Sequence, residues 1–217
     1  MVRLLVEPYR EQLTHWPQSG RHILAQYDTD SVIVYQAYNP SIGQFAASHG
    51  YFGGEFSFSR MSWIKPGFLW MMFRNGWGTK EKQEVTLAIR LKRVAFDLIL
   101  SEAVPSTYSN ERYPTETAWK RALTSSTVRL QWDPDHHPSG AKIERRAIQL
   151  GLRGPTLEQY THDWIIDIED ISDFVREQRE HMLARDYAQL LIPQERKYLT
   201  HYQHIGVSEM DQSHKEN

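Results

Sequence analysis

The sequence predicts a single α+β domain over residues 1–204, with a mixed or split antiparallel sheet, flanking helices and a polar tail at 205–217. Three observations lead there. Strand-like and helix-like segments alternate along the chain, no internal repeat or low-complexity linker separates them, and 217 residues suffice to bury one large core.

The first strong element is SVIVYQAY at 31–38, whose β-branched and aromatic residues spell a buried strand. Asn39 then offers an N-cap, and Pro40 a first-turn residue, for a helix that Gly50 ends. Pro66 opens a short helix through Phe73, stopped by Asn75 and Gly76. Alternation in EVTLAIRL at 84–91 predicts another strand, and residues 95–103 return as helix. Residues 117–123 read as helix, and 128–132, 145–152 and 164–168 as extended chain. Residues 171–184 form an amphipathic pattern, with Asp167, Glu169 and Asp170 placed to cap that helix. The ending SEMDQSHKEN is polar throughout and is expected to be disordered.

Composition removes several function classes. Lys and Arg number 25 against 27 Asp and Glu, so the net charge supplies no drive toward nonspecific adhesion to nucleic acid or membrane. The absence of cysteine removes disulfides, thiolate nucleophiles and cysteine zinc sites together. MVRLLVEPYREQ lacks the apolar core of a secretion signal, and no apolar run approaches the roughly 20 residues of a membrane span, so a cytoplasmic protein is expected. GxSxG, GxxxxGKS and GxGxxG motifs are missing, which disfavours hydrolase triads, P-loop nucleotidases and Rossmann oxidoreductases. DPDHHP at 133–138 has the residue types of a metal site, but adjacent histidines seldom converge on one ion and Pro134 and Pro138 mark a turn. A solvated loop, and no metal, is the expectation.

The segment RMSWIKPGFLWMMFRNGW at 60–77 raises a different question, because Arg60, Lys65 and Arg74 interrupt a dense apolar stretch. A buried cation must be paired or solvated, so these three are expected to face a partner or a ligand. Phe68, Trp70, Met71 and Met72 at helical spacing are expected in the core. Three strands are also broken by polar residues: Gln36 near the end of one, Arg129 and Gln131 on one face of a second, and Gln149 in a third. They are expected to converge on a pocket beside Arg60.

The phrases VYQAY, RMSWIKPGFLWMMFRNGW, VRLQWDP, RRAIQLGLRG and LLIPQERKY resemble the family catalogued as domain of unknown function 4291, from about Arg21 to Tyr198. The order of polar strand end, Arg-containing aromatic segment, strand plus helix, tryptophan region and Arg-Arg strand is similar, more distantly, to NAD-dependent ADP-ribosyltransferases that modify nucleic-acid bases. That resemblance implies an ADP-ribosyltransferase-like fold, NAD as cofactor, and ADP-ribosyl or related glycosyl transfer to a nucleic-acid or nucleotide acceptor. It assigns Gln149, Gln36 and Arg60 to catalysis and Tyr35, Trp63, Lys65, Arg74, Arg129 and Gln131 to the cofactor. Such transfer builds positive charge on the ribose beside an anionic pyrophosphate, so cations, an aromatic wall and an acceptor for hydroxyls are all useful. The sequence departs from the transferases at Gln149, where a glutamate is usual, and Glu144 and Glu195 are acids without a place. The alternative is a non-catalytic nucleotide or RNA/DNA-binding module in which Arg129, Arg145, Arg146 and Arg153 meet phosphates.

Overall fold

A computed structural model describes residues 4–208. Among them are the strands β1 (Val6–Pro8), β2 (Gly20–Arg21), β3 (Leu24–Ala25), β4 (Ser31–Tyr38), β5 (Ser62–Ile64), β6 (Val85–Lys92), β7 (Val104–Pro105), β8 (Val128–His136), β9 (Lys142–Leu152), β10 (Ile165–Asp170), β11 (Leu191–Pro193) and β12 (Arg196–Lys197). The α-helices are α1 (Tyr9–Leu13), α2 (Pro40–His49), α3 (Phe68–Asn75), α4 (Arg93–Glu102), α5 (Glu116–Ser125), α6 (Gly154–Gln159) and α7 (Ser172–Leu183). The fold is α+β.

One sheet has the order β10-β6-β4, antiparallel throughout, with β4 and β6 in register from Ser31↔Lys92 to Tyr38↔Val85. The other is built on β9. Its long antiparallel pairing with β8 carries Gln131 opposite Gln149, and β7 continues that side in parallel. The opposite edge of β9 is shared, because β5 pairs with residues 150–152 while β2 pairs with 145–146. Among the described residues the two sheets are tied by one bridge, in which Tyr35 N donates to Lys65 O at 2.7 Å and Lys65 N to Tyr35 O at 3.2 Å. The sheet is therefore split, and a gap opens between the end of β4 and the β5–β9 face.

β4 is apolar without alternation because both of its faces are buried. Val32 and Val34 join Leu87, Ile89 and Leu91 in one core cluster, while Ile33 and Tyr35 join Phe68, Met72 and Ala88 in another. α2 follows as expected: Asn39 Oδ1 accepts from Ile42 N at 3.0 Å, Pro40 occupies the first turn, and Gly50 ends the helix at φ 73°. Gly43 lets this helix lie against β6, since a Cβ there would come within 2.5 Å of Val85. α3 buries Phe68, Trp70, Met71 and Met72 as expected and ends on Gly76 at φ 60°. All three acids expected to cap α7 belong to β10; the helix has Ile171 at its N-cap with no side-chain cap, although Asp170, the last residue of the strand, accepts from Ser172 N at 2.9 Å.

Two expectations are corrected, and one strand pairing was not foreseen. The extended segment at 128–132 runs on to His136, and β9 starts at Lys142, so most of DPDHHP is strand and only the residues around Gly140 turn. The prolines hid this, because Pro134 occupies a position in β8 that a turn would also accept. Residues 205–208 are packed rather than free: Ile205 is fully buried, its carbonyl accepts from Trp132 Nε1 at 2.7 Å, and Ser208 N bonds Arg21 O at 2.8 Å. The rest of the expected tail, 209–217, lies outside the described residues. The unforeseen pairing joins β1 to β11 in antiparallel fashion, strands of three residues each and too short to show alternation. Among the described residues, no helix is long and apolar enough to cross a membrane.

Candidate functional site

The gap between the sheets is a cleft of about 650 Å³. β4 contributes Gln36 and Tyr38, β5 and its extension contribute Ser62, Trp63 and Lys65, α3 contributes Arg74, and the β8–β9 face contributes Gln131 and Gln149. Arg60 stands at its rim. The strand register explains the convergence: Gln131 and Gln149 are cross-strand partners, and Trp63 pairs with Gly151, two residues further along the same face of β9. Glycine is needed at 151, because a Cβ would lie 2.6 Å from Met61 Sδ and 3.0 Å from Trp63 Cε2.

The floor of the cleft is a closed hydrogen-bond network. Tyr160 Oη donates to Gln36 Oε1 at 2.8 Å, and Gln36 Nε2 donates to Ser62 Oγ at 2.7 Å and Tyr38 Oη at 2.9 Å. The Tyr38 and Ser62 hydroxyls meet at 2.8 Å. Burial pushes the phenols of Tyr38 and Tyr160 well above their ordinary value, so both remain donors. Gln36 is only 2% exposed and its amide is engaged at both ends. Both ends of its amide are satisfied within the protein, and through them it holds the Tyr38 and Ser62 hydroxyls. The hydroxyls it orients, Tyr38 and Ser62, were not singled out by sequence reasoning, and neither was Tyr160, which bonds Gln36 from 124 positions away.

One wall carries a second network. Gln149 Nε2 donates to Gln131 Oε1 at 2.8 Å and to Asp133 Oδ2 at 2.7 Å. A carboxylate accepts only, so Asp133 fixes which end of the Gln149 amide is nitrogen. The groups left to a ligand are then the Gln149 carbonyl, an acceptor, and the Gln131 amide nitrogen, a donor. Asp133 therefore supplies negative charge one hydrogen bond behind Gln149. Neither acid left without a place by the sequence stands here. Glu144 is exposed near the start of β9. Glu195 is buried, accepts from Phe68 N at 2.6 Å at the start of α3, and is pushed well up in pKa by that burial. The carboxylate that does line the cleft is Glu55, which accepts from Ser41 Oγ at 2.7 Å.

The cations differ in kind. Arg60 and Arg74 are exposed, and neither they nor Lys65 form an ion pair with a described residue. Lys65 is only 5% exposed; its Nζ donates to Trp63 O at 3.4 Å. Burial, followed by the charge of Arg74, lowers its pKa from 10.5 to about 7 against the opposing pull of Asp133.

Other expected site residues lie elsewhere. Tyr35 is fully buried with its ring edge-on to Phe68 at 5.6 Å, so Trp63 is the aromatic wall and Tyr35 is core. Tyr35 faces away from the cleft that its neighbour Gln36 lines because successive strand residues point to opposite faces. Arg129 shares a strand face with Gln131, as read, but lies outside the cleft lining. Arg145 is buried in a 2.6 Å ion pair with Asp135, beneath the ring of Trp16 at 4.9 Å. Arg153 is spent on the carbonyls of Ser126 and Thr124. Among the described residues no group of three side chains is placed to hold a metal ion. His136 instead stacks on Phe73, with ring centroids 3.5 Å apart.

Residues 22–198 match the family described as Domain of unknown function (DUF4291). The chain belongs to the DUF4291 family. The match takes in every cleft residue named above and every strand of the two sheets except β2, so the site lies inside the DUF4291 region. No curated protein matches the chain.

Proposed function

We propose that the cleft binds a pyrophosphate-bearing nucleotide of the NAD type, and that the protein transfers its ADP-ribosyl or a related glycosyl group to a nucleic-acid or nucleotide acceptor. One observation carries this reading: Arg60, Lys65 and Arg74, none paired with a carboxylate of a described residue, share a cleft with Trp63 and a donor–acceptor amide pair. Arg60 and Arg74 suit the phosphates by charge-assisted hydrogen bonds, and Trp63 suits the face of a base or a nicotinamide ring. Gln149 and Gln131 match hydroxyls or a carboxamide. The Asp133 carboxylate behind Gln149, or Glu55 at the cleft wall, offsets positive charge that develops as the glycosidic bond opens. A split sheet with the cleft at its opening is also what an ADP-ribosyltransferase-like fold requires.

The nucleic-acid-binding alternative loses two of its four phosphate ligands, since Arg145 and Arg153 are occupied internally. The test is to incubate the protein with NAD and measure both affinity and free nicotinamide. Binding by the wild type, weakened in Arg74→Met and accompanied by nicotinamide release, supports transfer. Nucleic-acid binding that falls steeply with salt, without NAD binding, favours the alternative.

A further inference from the structure

Lys65 stands apart from the other cations of the cleft. Its side chain is nearly solvent-free yet lines an open cavity, and its Nζ makes one long contact, to the Trp63 carbonyl at 3.4 Å. Arg145 is equally buried but holds Asp135 at 2.6 Å, which is how a structural cation is ordinarily accommodated. The backbone of Lys65 is clamped by both hydrogen bonds of the bridge to Tyr35, and Pro66 follows it. The amine is thus delivered from a rigid point toward the space that Arg60 and Arg74 also face.

We propose that Lys65 is a nucleophilic amine that captures phosphorylated aldehydes, such as an open-chain sugar phosphate, as an imine in this cleft. The proposal rests on the cleft being an anion site, as the proposed function also does, but it does not require NAD as the ligand. The Nζ lone pair adds to the carbonyl carbon, and the C=O π pair moves to oxygen, which takes a proton from water. Nζ gives one of its two protons to solvent, the hydroxyl of the resulting carbinolamine takes a second proton from solvent and leaves as water, the remaining proton departs from Nζ, and a C=N bond remains. One amine and one aldehyde yield one imine and one water, with no oxidant or reductant. Arg60 and Arg74 hold the phosphate, while Gln131 and Gln149 meet hydroxyls of the chain.

The groups facing Lys65 account for an amine that is free to react. Burial and Arg74 disfavour its charged form, Asp133 favours it, and the balance lies near neutrality. At pH 7 about half of such an amine is unprotonated, against roughly one part in a few thousand for an ordinary lysine.

The experiment uses the whole chain with pyridoxal 5′-phosphate as the aldehyde, borohydride to reduce any imine, and peptide mapping to locate it. Capture at Lys65 at pH 7.5 is expected to outpace that at exposed Lys120 by at least about ten-fold, and to rise with pH through about 7 rather than near 10. Lys82, which also lines the cleft, serves as the internal control for mere proximity. Pyridoxal without phosphate, and the Arg74→Met variant, are both expected to give slower capture at Lys65. Labelling of Lys65 no faster than Lys120 or Lys82 overturns the proposal, and so does labelling indifferent to the phosphate. NAD affinity measured on the same samples separates the two readings. Capture without NAD binding removes the proposed function alone, and NAD binding without capture removes this inference alone.

Discussion

Replacing Lys65 by Met is expected to stabilise the protein, by an amount that depends on pH. Met keeps the apolar stem and discards the charge. The fall in the Lys65 pKa from 10.5 to about 7 corresponds to an upper limit of roughly 4 to 5 kcal/mol, at about 1.4 kcal/mol per pH unit of displacement. Below pH 7 the folded and unfolded chains both carry the proton, and the full penalty of burying the charge is present. Between about pH 7 and 10.5 the unfolded chain binds a proton that the folded chain does not, so wild-type stability rises with pH. Above that window both states are neutral and the penalty is gone. Urea unfolding from pH 6 to pH 10 is the assay. After allowance for relaxation around the amine, Lys65→Met is expected to exceed wild type by on the order of 3 kcal/mol at pH 6, with the difference shrinking steadily toward pH 10. A difference that does not change with pH, or a variant less stable than wild type at pH 6, refutes the reasoning, because Lys65 would then have a counter-charge in the folded state.

Arg74→Met is expected to weaken ADP or NAD binding in calorimetry by about 1.5 to 3 kcal/mol, while unfolding stability stays within about 1 kcal/mol because the residue is exposed; unfolding with unaltered affinity would contradict its place as a ligand group. Gln149→Glu replaces the donor that sits 2.7 Å from Asp133 with a like charge, so stability is expected to fall by roughly 1 to 3 kcal/mol, increasingly as pH rises above the ordinary carboxylate range. Adding Asp133→Asn should restore most of that loss, and a double variant no better than the single one would discredit the orientation assigned to Gln149. Tyr160→Phe strands the buried Gln36 carbonyl and is expected to cost roughly 1 to 3 kcal/mol in denaturant unfolding; a neutral effect would mean that Gln36 has another donor.

By itself the sequence determined the elements whose causes are local. A cap acts over three residues and a strand alternates every two, so Asn39 with Ile42, Gly50, Gly76 and the run at 31–38 are legible wherever the chain goes. The mismatch between cations and apolar surroundings at 60–77 was legible for the same reason, and so was the break that Gln36, Gln131 and Gln149 each make in an apolar strand; that they share the cleft is a matter of sheet pairing. Tertiary structure decided what each of these residues has as a partner. β4 is buried on both faces, so its pattern does not tell that Tyr35 faces core while Gln36 faces the cleft floor. The saturation of Gln36 depends on a tyrosine far along the chain, and the orientation of Gln149 depends on an aspartate in a strand disguised by its prolines. Lys65 and Arg145 look alike as cations amid apolar sequence. One is paired and the other is not, because Asp135 and Arg145 are brought together by the β8–β9 hairpin, whereas no described carboxylate reaches the amine at the seam between the sheets.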